Sequence, residues 1–109
     1  MTIQEIADKL QLKPLTTVPE KTVTGVYISD MVSDVIANAK AGNVLVTVQV
    51  HNNVVAAANL VDVAAIVVTR GRKPADDTIQ LAEKAGIPVF FTELNSWQVA
   101  SHLYEAGIR

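Results

Sequence analysis

The chain has 109 residues, of which 50% are hydrophobic and 18% are charged, with a formal net charge of −2 and no cysteine. This length fits a single domain, and the mildly acidic balance excludes proteins that attract nucleic acid or an anionic membrane surface through positive charge. The lack of cysteine excludes disulfides, thiolate zinc sites and cysteine nucleophiles.

Targeting signals are not indicated either. The first residues include Glu5 and no basic segment, so we expect no signal peptide. Polar residues or glycine interrupt every apolar run well short of the roughly 18 residues that a membrane span needs. We therefore expect a cytoplasmic protein, in keeping with its cysteine-free composition.

Residues 1–22 predict a short helix followed by an edge segment of a sheet. Thr2 precedes Glu5 by three residues, which is the spacing of a capping box. Pro14 lacks a backbone N–H, and this restricts a strand over residues 12–16 to the edge of the sheet. A helix-turn-helix is disfavoured because Pro14 lies where the second helix would begin and no basic face follows. The apolar residues of the helix fall on one side: Ile3, Ile6, Ala7 and Leu10.

Residues 23–109 repeat a pattern in which an apolar strand is followed by a helix. The strands are predicted over residues 23–28, 44–48, 64–68 and 88–91, and their near-continuous apolar character is typical of strands covered on both faces. Each following helix begins near a residue suited to capping its N-terminus. The predicted capping or helix-opening residues are Ser29 or Asp30, Asn52 or Asn53, Asp76 with Asp77, and Ser96.

This alternation predicts the fold class. Strands that alternate with helices about every 20 residues form parallel sheets with right-handed crossovers. We predict one three-layer α/β domain over residues 1–109, with a mostly parallel sheet of four to five strands and helices on both faces. The order of the strands cannot be read from the sequence.

Polar residues follow each predicted strand and mark a candidate site. The carboxyl ends of parallel strands lie at one edge of the sheet, where helix N-termini favour anions and an arginine can bind phosphate or carboxylate. The sequence therefore predicts a site for a small anionic metabolite or a nucleotide. The alternative is that the same side chains only cap helices and line solvated loops. The predicted site residues are Ser29, Asp30, Ser33, Gln49, His51, Asn52 and Arg70.

Other kinds of site are less well supported. Asp30 and His51 can be drawn as an acid–base pair, which is the basis of an enzymatic alternative. No glycine-rich phosphate loop of the nucleotide-hydrolase or dinucleotide-binding type is present. The two histidines, His51 and His102, lack metal-ligand spacing, so we expect neither a metal nor a cofactor. Trp97 and Tyr104 in the last helix either pack in the core or cover a partner subunit.

Two blocks of sequence resemble the DRTGG domain family. They are residues 24–35, which begin T-G-V-Y-I-S-D, and residues 47–56, T-V-Q-V-H-N-N-V-V-A. The helix near Pro74 and the step at residues 86–89 fit as well, whereas Val26 replaces the second glycine of the family's name-giving stretch. The resemblance implies a regulatory or dimer-forming module without established chemistry. It also implies a fold similar to the N-terminal, non-catalytic domain of HPr kinase/phosphorylase.

Together these observations predict a non-enzymatic module for regulation, ligand sensing and dimerisation. We expect a homodimer that binds a small anionic ligand or nucleotide, with no nucleic-acid or membrane partner. One alternative is a purely structural dimerisation or scaffold domain. A third is a small acid–base enzyme that uses Asp30 and His51. The sequence does not indicate a partner protein or a pathway.

Overall fold

The computed structural model describes all residues, 1–109, as one sheet of five strands with five helices. The helices are α1 (Ile3–Leu10), α2 (Val32–Asn38), α3 (Asn52–Val61), α4 (Asp76–Ala85) and α5 (Ser96–Glu105). The strands are β1 (Lys13–Pro14), β2 (Gly25–Ile28), β3 (Asn43–Thr47), β4 (Ala65–Val68) and β5 (Val89–Phe91).

The strand order is β1-β5-β4-β3-β2. Strands β2 to β5 are parallel, and β1 pairs antiparallel with β5 at one edge, where Pro14 lies opposite Phe90. The predicted α/β class and the mostly parallel sheet are confirmed. The proline is tolerated because it stands in a two-residue edge strand.

Helices cover both faces of the sheet. On one face, α1 and α5 pack on alternate strand residues such as Val44 and Val67, and Phe90 belongs to the same core cluster. On the other face, α2, α3 and α4 pack on the intervening residues, including Leu45 and Ile66. The middle strands are therefore buried on both sides, which explains their unbroken apolar sequence.

Several helix ends differ from the prediction. The capping box of α1 is confirmed, since Thr2 Oγ1 accepts a hydrogen bond from Glu5 N and Glu5 Oε1 accepts one from Thr2 N. The predicted cap Ser96 is wrong, because Asn95 Oδ1 accepts from Gln98 N at 2.9 Å and makes Asn95 the capping residue of α5.

The predicted caps of α2 and α3 are also wrong. His51 occupies the N-cap position of α3 and makes no side-chain capping bond, while Asn52 is already helical. Neither Ser29 nor Asp30 is the N-cap of α2, which is Met31. Asp30 and Asn52 are residues of the right type, but their side chains bond to the end of β3 and to Thr78 of α4 instead.

The helices are short. The longest have ten residues, and none combines the length and apolar character of a membrane-spanning helix.

Candidate ligand-binding site

Asp30 joins the end of β2 to the end of β3. Its Oδ1 accepts hydrogen bonds from Val48 N at 2.8 Å and from Thr47 Oγ1 at 3.0 Å. Gln49 Nε2 donates to the backbone oxygen of Asp30 at 3.0 Å. The carboxylate therefore fixes the two loops to each other, and this occupies the group that was predicted to cap α2.

A depression lies directly beside this junction. It has a volume of about 370 Å³ and is lined by Asp30, Met31, Val32, Gln49, His51 and Asn53. At the start of α3, no side chain caps the first-turn N–H groups, since His51 makes no capping bond. Uncapped N–H groups at a helix start carry partial positive charge and bind anions. The depression thus combines a carboxylate, hydrogen-bond donors and apolar side chains.

The structure brings three of the predicted site residues together in this depression, namely Asp30, Gln49 and His51. Ser29 precedes Asp30 in the chain and does not line the depression; its Oγ accepts from Met31 N at 3.2 Å. Ser33 is an exposed residue of α2 that does not line the depression.

The remaining two predicted residues lie outside it. The amide oxygen of Asn52 accepts a hydrogen bond from the Thr78 hydroxyl of α4. Arg70 follows β4 in a left-handed conformation, with φ of 63°, and its N–H donates to Leu94 O at 2.8 Å. The guanidinium that reaches the β3 loop is instead that of Arg72, whose Nη1 donates to Val48 O at 3.3 Å.

A second polar group, next to the depression, ties α2 to β2. Tyr27 OH donates to the carboxylate of Asp34 at 2.8 Å and Asn38 Nδ2 donates to the same group at 2.8 Å. The hydroxyl of Ser29, then Asn38 and Tyr27, stabilise the ionised form and lower the pKa of Asp34. The bond to Asp34 raises the pKa of Tyr27, because the phenol must keep its proton to donate. These residues fix α2 on the sheet.

A basic cavity at the other end of the same sheet edge was missed by the sequence reasoning. It has a volume of about 360 Å³ and lies where α1 ends, β5 ends and α5 passes. Its segments are far apart in sequence and meet only because β1 returns beside β5. To predict this cavity from the sequence, the order of the strands in the sheet would have had to be known. Its lining residues are Lys9, Leu10, Gln11, Lys13, Phe91, Thr92, Glu93, Leu94 and His102.

No three acidic, histidine or cysteine side chains in the structure are close enough together to hold a metal ion.

Comparison with known proteins identifies the family. The model of the DRTGG domain matches residues 5–106. This chain belongs to the DRTGG domain family. A search of curated protein sequences gives no match.

One solved structure shows the same fold. It contains the CBS and DRTGG domains of the regulatory region of Clostridium perfringens pyrophosphatase, complexed with its activator diadenosine tetraphosphate. The TM-score is 0.74 at 20% sequence identity, and the match covers 94% of this chain and 45% of that one. This DRTGG domain therefore spans slightly less than half of that regulatory region. The similarity to the N-terminal domain of HPr kinase/phosphorylase stays a prediction.

Proposed function

We propose that this DRTGG domain is a non-enzymatic, ligand-sensing regulatory module that binds a nucleotide in the depression beside Asp30. The observation that carries the proposal is the set of groups around this depression. It offers an acceptor, a cluster of donors and an apolar surface, and a nucleotide presents the complementary groups in its sugar hydroxyls, its phosphates and its base.

The donor and acceptor groups can be assigned to parts of the ligand. Oδ1 of Asp30 already accepts two hydrogen bonds, whereas Oδ2 accepts none within the chain and is free to accept from sugar hydroxyls. His51 and Asn53, at the uncapped start of α3, line the same depression, and the partial positive charge of this helix end together with the imidazole of His51 suits a phosphate. Met31 and Val32 supply apolar surface for the base.

The comparisons support the choice of ligand class. The pyrophosphatase region that shares this fold is regulatory and is complexed with a dinucleotide activator, although it also contains CBS domains. Nucleotides are therefore the first class to test on this chain. We extend the proposal to a homodimer and to the predicted cytoplasmic location, which the cysteine-free sequence fits.

The proposal is tested by isothermal titration of the wild-type protein with AMP, ATP and diadenosine tetraphosphate, with adenosine and inorganic phosphate as partial ligands. Asp30→Asn retains an oxygen for Val48 N but removes the charge and the second acceptor. We expect this variant to weaken nucleotide binding about tenfold, the equivalent of about 1.4 kcal/mol. His51→Ala should weaken binding of the phosphate-bearing ligands more than that of adenosine.

Lys9→Ala is the matched control, because Lys9 lines the basic cavity and not the depression. Equal affinities for Lys9→Ala and wild type support the depression as the site. If Lys9→Ala abolishes binding and Asp30→Asn does not, the ligand binds in the basic cavity and the assignment is wrong. Flat titrations for every nucleotide at millimolar concentration favour the scaffold alternative, and turnover of a bound nucleotide would favour the enzymatic one.

A further inference from the structure

The basic cavity gathers basic side chains from three separate elements. Lys9 comes from the end of α1, Lys13 from β1 and His102 from α5. Two of them have a role within the fold, because Lys9 and His102 stand in the last turns of their helices, where partial negative charge favours a cation. Lys13 belongs to a strand, so the helix dipole does not explain it.

A further lysine lies close to Lys13. Lys13 Nζ is 5.8 Å from the centre of the Phe91 ring, and Lys73 Nζ, from the loop after β4, is 4.5 Å from it. Cation–π contacts at exposed sites are weak, and two ammonium groups beside one ring repel each other. An anion bound in the cavity would relieve this repulsion.

The acidic side chains nearby are engaged elsewhere. Glu93 is the single acid among the lining residues, and its carboxylate lies beside the backbone of Gly71, where a side chain on the glycine would meet it. In α1, Glu5 Oε1 accepts from Thr2 N at 3.0 Å, and Asp8 Oδ1 accepts from Gln4 Nε2 at 3.2 Å. The positive charge of the cavity is therefore available to a ligand.

One wall of the cavity is shaped by the end of α1. Gln11 has a left-handed conformation with φ of 55°, and Leu12 N donates to Ala7 O at 2.9 Å. This turn ends the helix and directs the chain into β1, so that Lys9 and Lys13 line the same cavity.

The opposite wall is held by the loop after β4. Arg70 N donates to Leu94 O at 2.8 Å, and Gly71 N donates to Thr92 O at 2.7 Å. Two backbone bonds thus fix the segment that follows β5. Because both walls are fixed by backbone bonds, the cavity is preformed, as small-molecule sites usually are.

The remaining lining residues indicate the kind of anion. The volume of about 360 Å³ leaves room for a carbon skeleton beside one phosphate group. Gln11 and Thr92 carry an amide and a hydroxyl, and Thr92 Oγ1 accepts from Leu94 N at 3.3 Å, which leaves its own proton free to donate. Leu10 and Phe91 add apolar surface. A phosphate group with a short hydroxylated chain or ring matches this set.

We propose that the basic cavity is a second ligand site, which binds a phosphorylated sugar with its phosphate on Lys9, Lys13 and His102. The site goes beyond the proposed nucleotide site and does not depend on it. The two share no lining residue. Strand β4 lies between β5 and β3, so the sites are at least two strand spacings, roughly 10 Å, apart.

Isothermal titration with glucose 6-phosphate tests the ligand class. Glucose and inorganic phosphate serve as partial ligands, and citrate serves as an anion of greater charge that lacks a phosphate group. We expect glucose 6-phosphate to bind more tightly than either partial ligand, because the site contacts both of its halves. Citrate should bind no more tightly than inorganic phosphate, and tighter citrate binding would contradict the proposed class.

Single substitutions test the location. Lys13→Gln removes a charge from the cavity and should weaken binding of glucose 6-phosphate about fivefold, as should Lys9→Ala. Lys40→Gln is the matched control, because Lys40 is an exposed lysine that lines neither the cavity nor the depression. Asp30→Asn should leave this affinity unchanged, and Lys13→Gln should leave nucleotide affinity unchanged.

Gln11→Gly separates binding from stability. Glycine adopts a φ of 55° without strain, so the melting temperature should rise, while loss of the side-chain amide should weaken binding of glucose 6-phosphate about threefold. A variant that is more stable and binds less tightly cannot owe its weaker binding to unfolding. Unchanged affinity would remove Gln11 from the site.

Three results would overturn the second site and leave the nucleotide site standing. The first is no binding of glucose 6-phosphate up to millimolar concentration by a protein that binds nucleotides. The second is a loss with Lys40→Gln as large as that with Lys13→Gln, which would mean unspecific attraction by charge. The third is a loss with Asp30→Asn and none with Lys9→Ala, which would place the sugar phosphate in the depression. Failure of the nucleotide titrations alone would contradict only the proposed function.

Discussion

Replacement of Asp30 by alanine should destabilise the fold as well as the candidate site. The carboxylate accepts from Val48 N and Thr47 Oγ1 and is the only side chain that joins the β2–α2 loop to the end of β3 through two bonds. Asp30→Ala removes both bonds at once. The bond from Gln49 Nε2 to the backbone oxygen of residue 30 can persist.

The size of the effect follows from what happens to each donor. A hydrogen bond to a charged acceptor contributes about 1.5–3 kcal/mol, but less where water can replace the acceptor. Val48 is only half-buried, so water can satisfy its N–H. Thr47 is fully buried, and its hydroxyl proton is left without this acceptor. We expect the free energy of unfolding to fall by about 2 kcal/mol, or roughly 8 °C in melting temperature for a domain of this size.

The assay is urea unfolding followed by far-UV circular dichroism, with thermal melts in parallel. Asp30→Asn is the matched variant, because its amide oxygen can still accept from Val48 N, and we expect less than half of the loss. Thr47→Val completes a double-mutant cycle. The coupling energy between residues 30 and 47 should be about 1 kcal/mol, as expected for residues in direct contact.

A particular outcome would refute this reasoning. If Asp30→Ala melts within about 1 °C of wild type while nucleotide binding is lost, then Asp30 serves only the ligand. The two bonds to β3 would then contribute nothing measurable to stability.

Four further predictions concern other parts of the molecule. Gly71→Ala should destabilise the domain by about 1–3 kcal/mol in urea unfolding, because its φ of +70° is a left-handed conformation that alanine adopts only with strain. The Glu93 carboxylate next to the new Cβ is the end of a flexible side chain and can move aside, so the backbone carries the cost. An unchanged urea midpoint would contradict this. Because the pKa of Asp34 is lowered, its carboxylate contributes stability above its ordinary pKa of 3.8, and this stability is lost as the pH falls through the folded-state pKa. Asp34→Asn should therefore flatten the acid side of a plot of melting temperature against pH. A variant plot parallel to that of the wild type would show that the carboxylate has no such role. The raised pKa of Tyr27 predicts the opposite sign at high pH, namely stability lost as the pH rises through and above 10.0, which Tyr27→Phe should abolish. Phe90→Ala should lower the free energy of unfolding by about 3–5 kcal/mol, since Phe90 is 1% exposed in the core, and a loss below 1 kcal/mol would mean that the cavity collapses.

The fold class could be predicted because its signals are local. A strand covered on both faces is a short unbroken apolar run, and each helix carries an apolar stripe, so both patterns are visible in any window of the sequence. The order of the strands depends on which face of the sheet each helical connection crosses, and no short segment of the sequence contains this information. The basic cavity, with Lys9 and His102 on different helices, was hidden for the same reason.

Side-chain roles at the candidate site were harder to predict than which loops lie next to each other. The loops after β2 and β3 do meet, as parallel strands require, and Asp30 and His51 line one depression. Asp30 was interpreted as a helix cap because its neighbours in sequence offered that role. Two donors at the end of the adjacent strand bind it instead, and such competition between near and distant partners is decided by three-dimensional geometry. The predicted site residues included Arg70 and not Arg72, because the turn that directs only Arg72 to the β3 loop could not be foreseen.

The proline in β1 bears on how this protein behaves when it is crowded. A parallel sheet grows into fibrils when an exposed border accepts another strand. Three features of β1 disfavour the addition of another strand at this edge of the sheet. The strand has only two residues, Pro14 has no N–H to donate, and Lys13 places a charge beside it. We therefore expect this side of the sheet to contribute little to fibrous aggregation in concentrated solution.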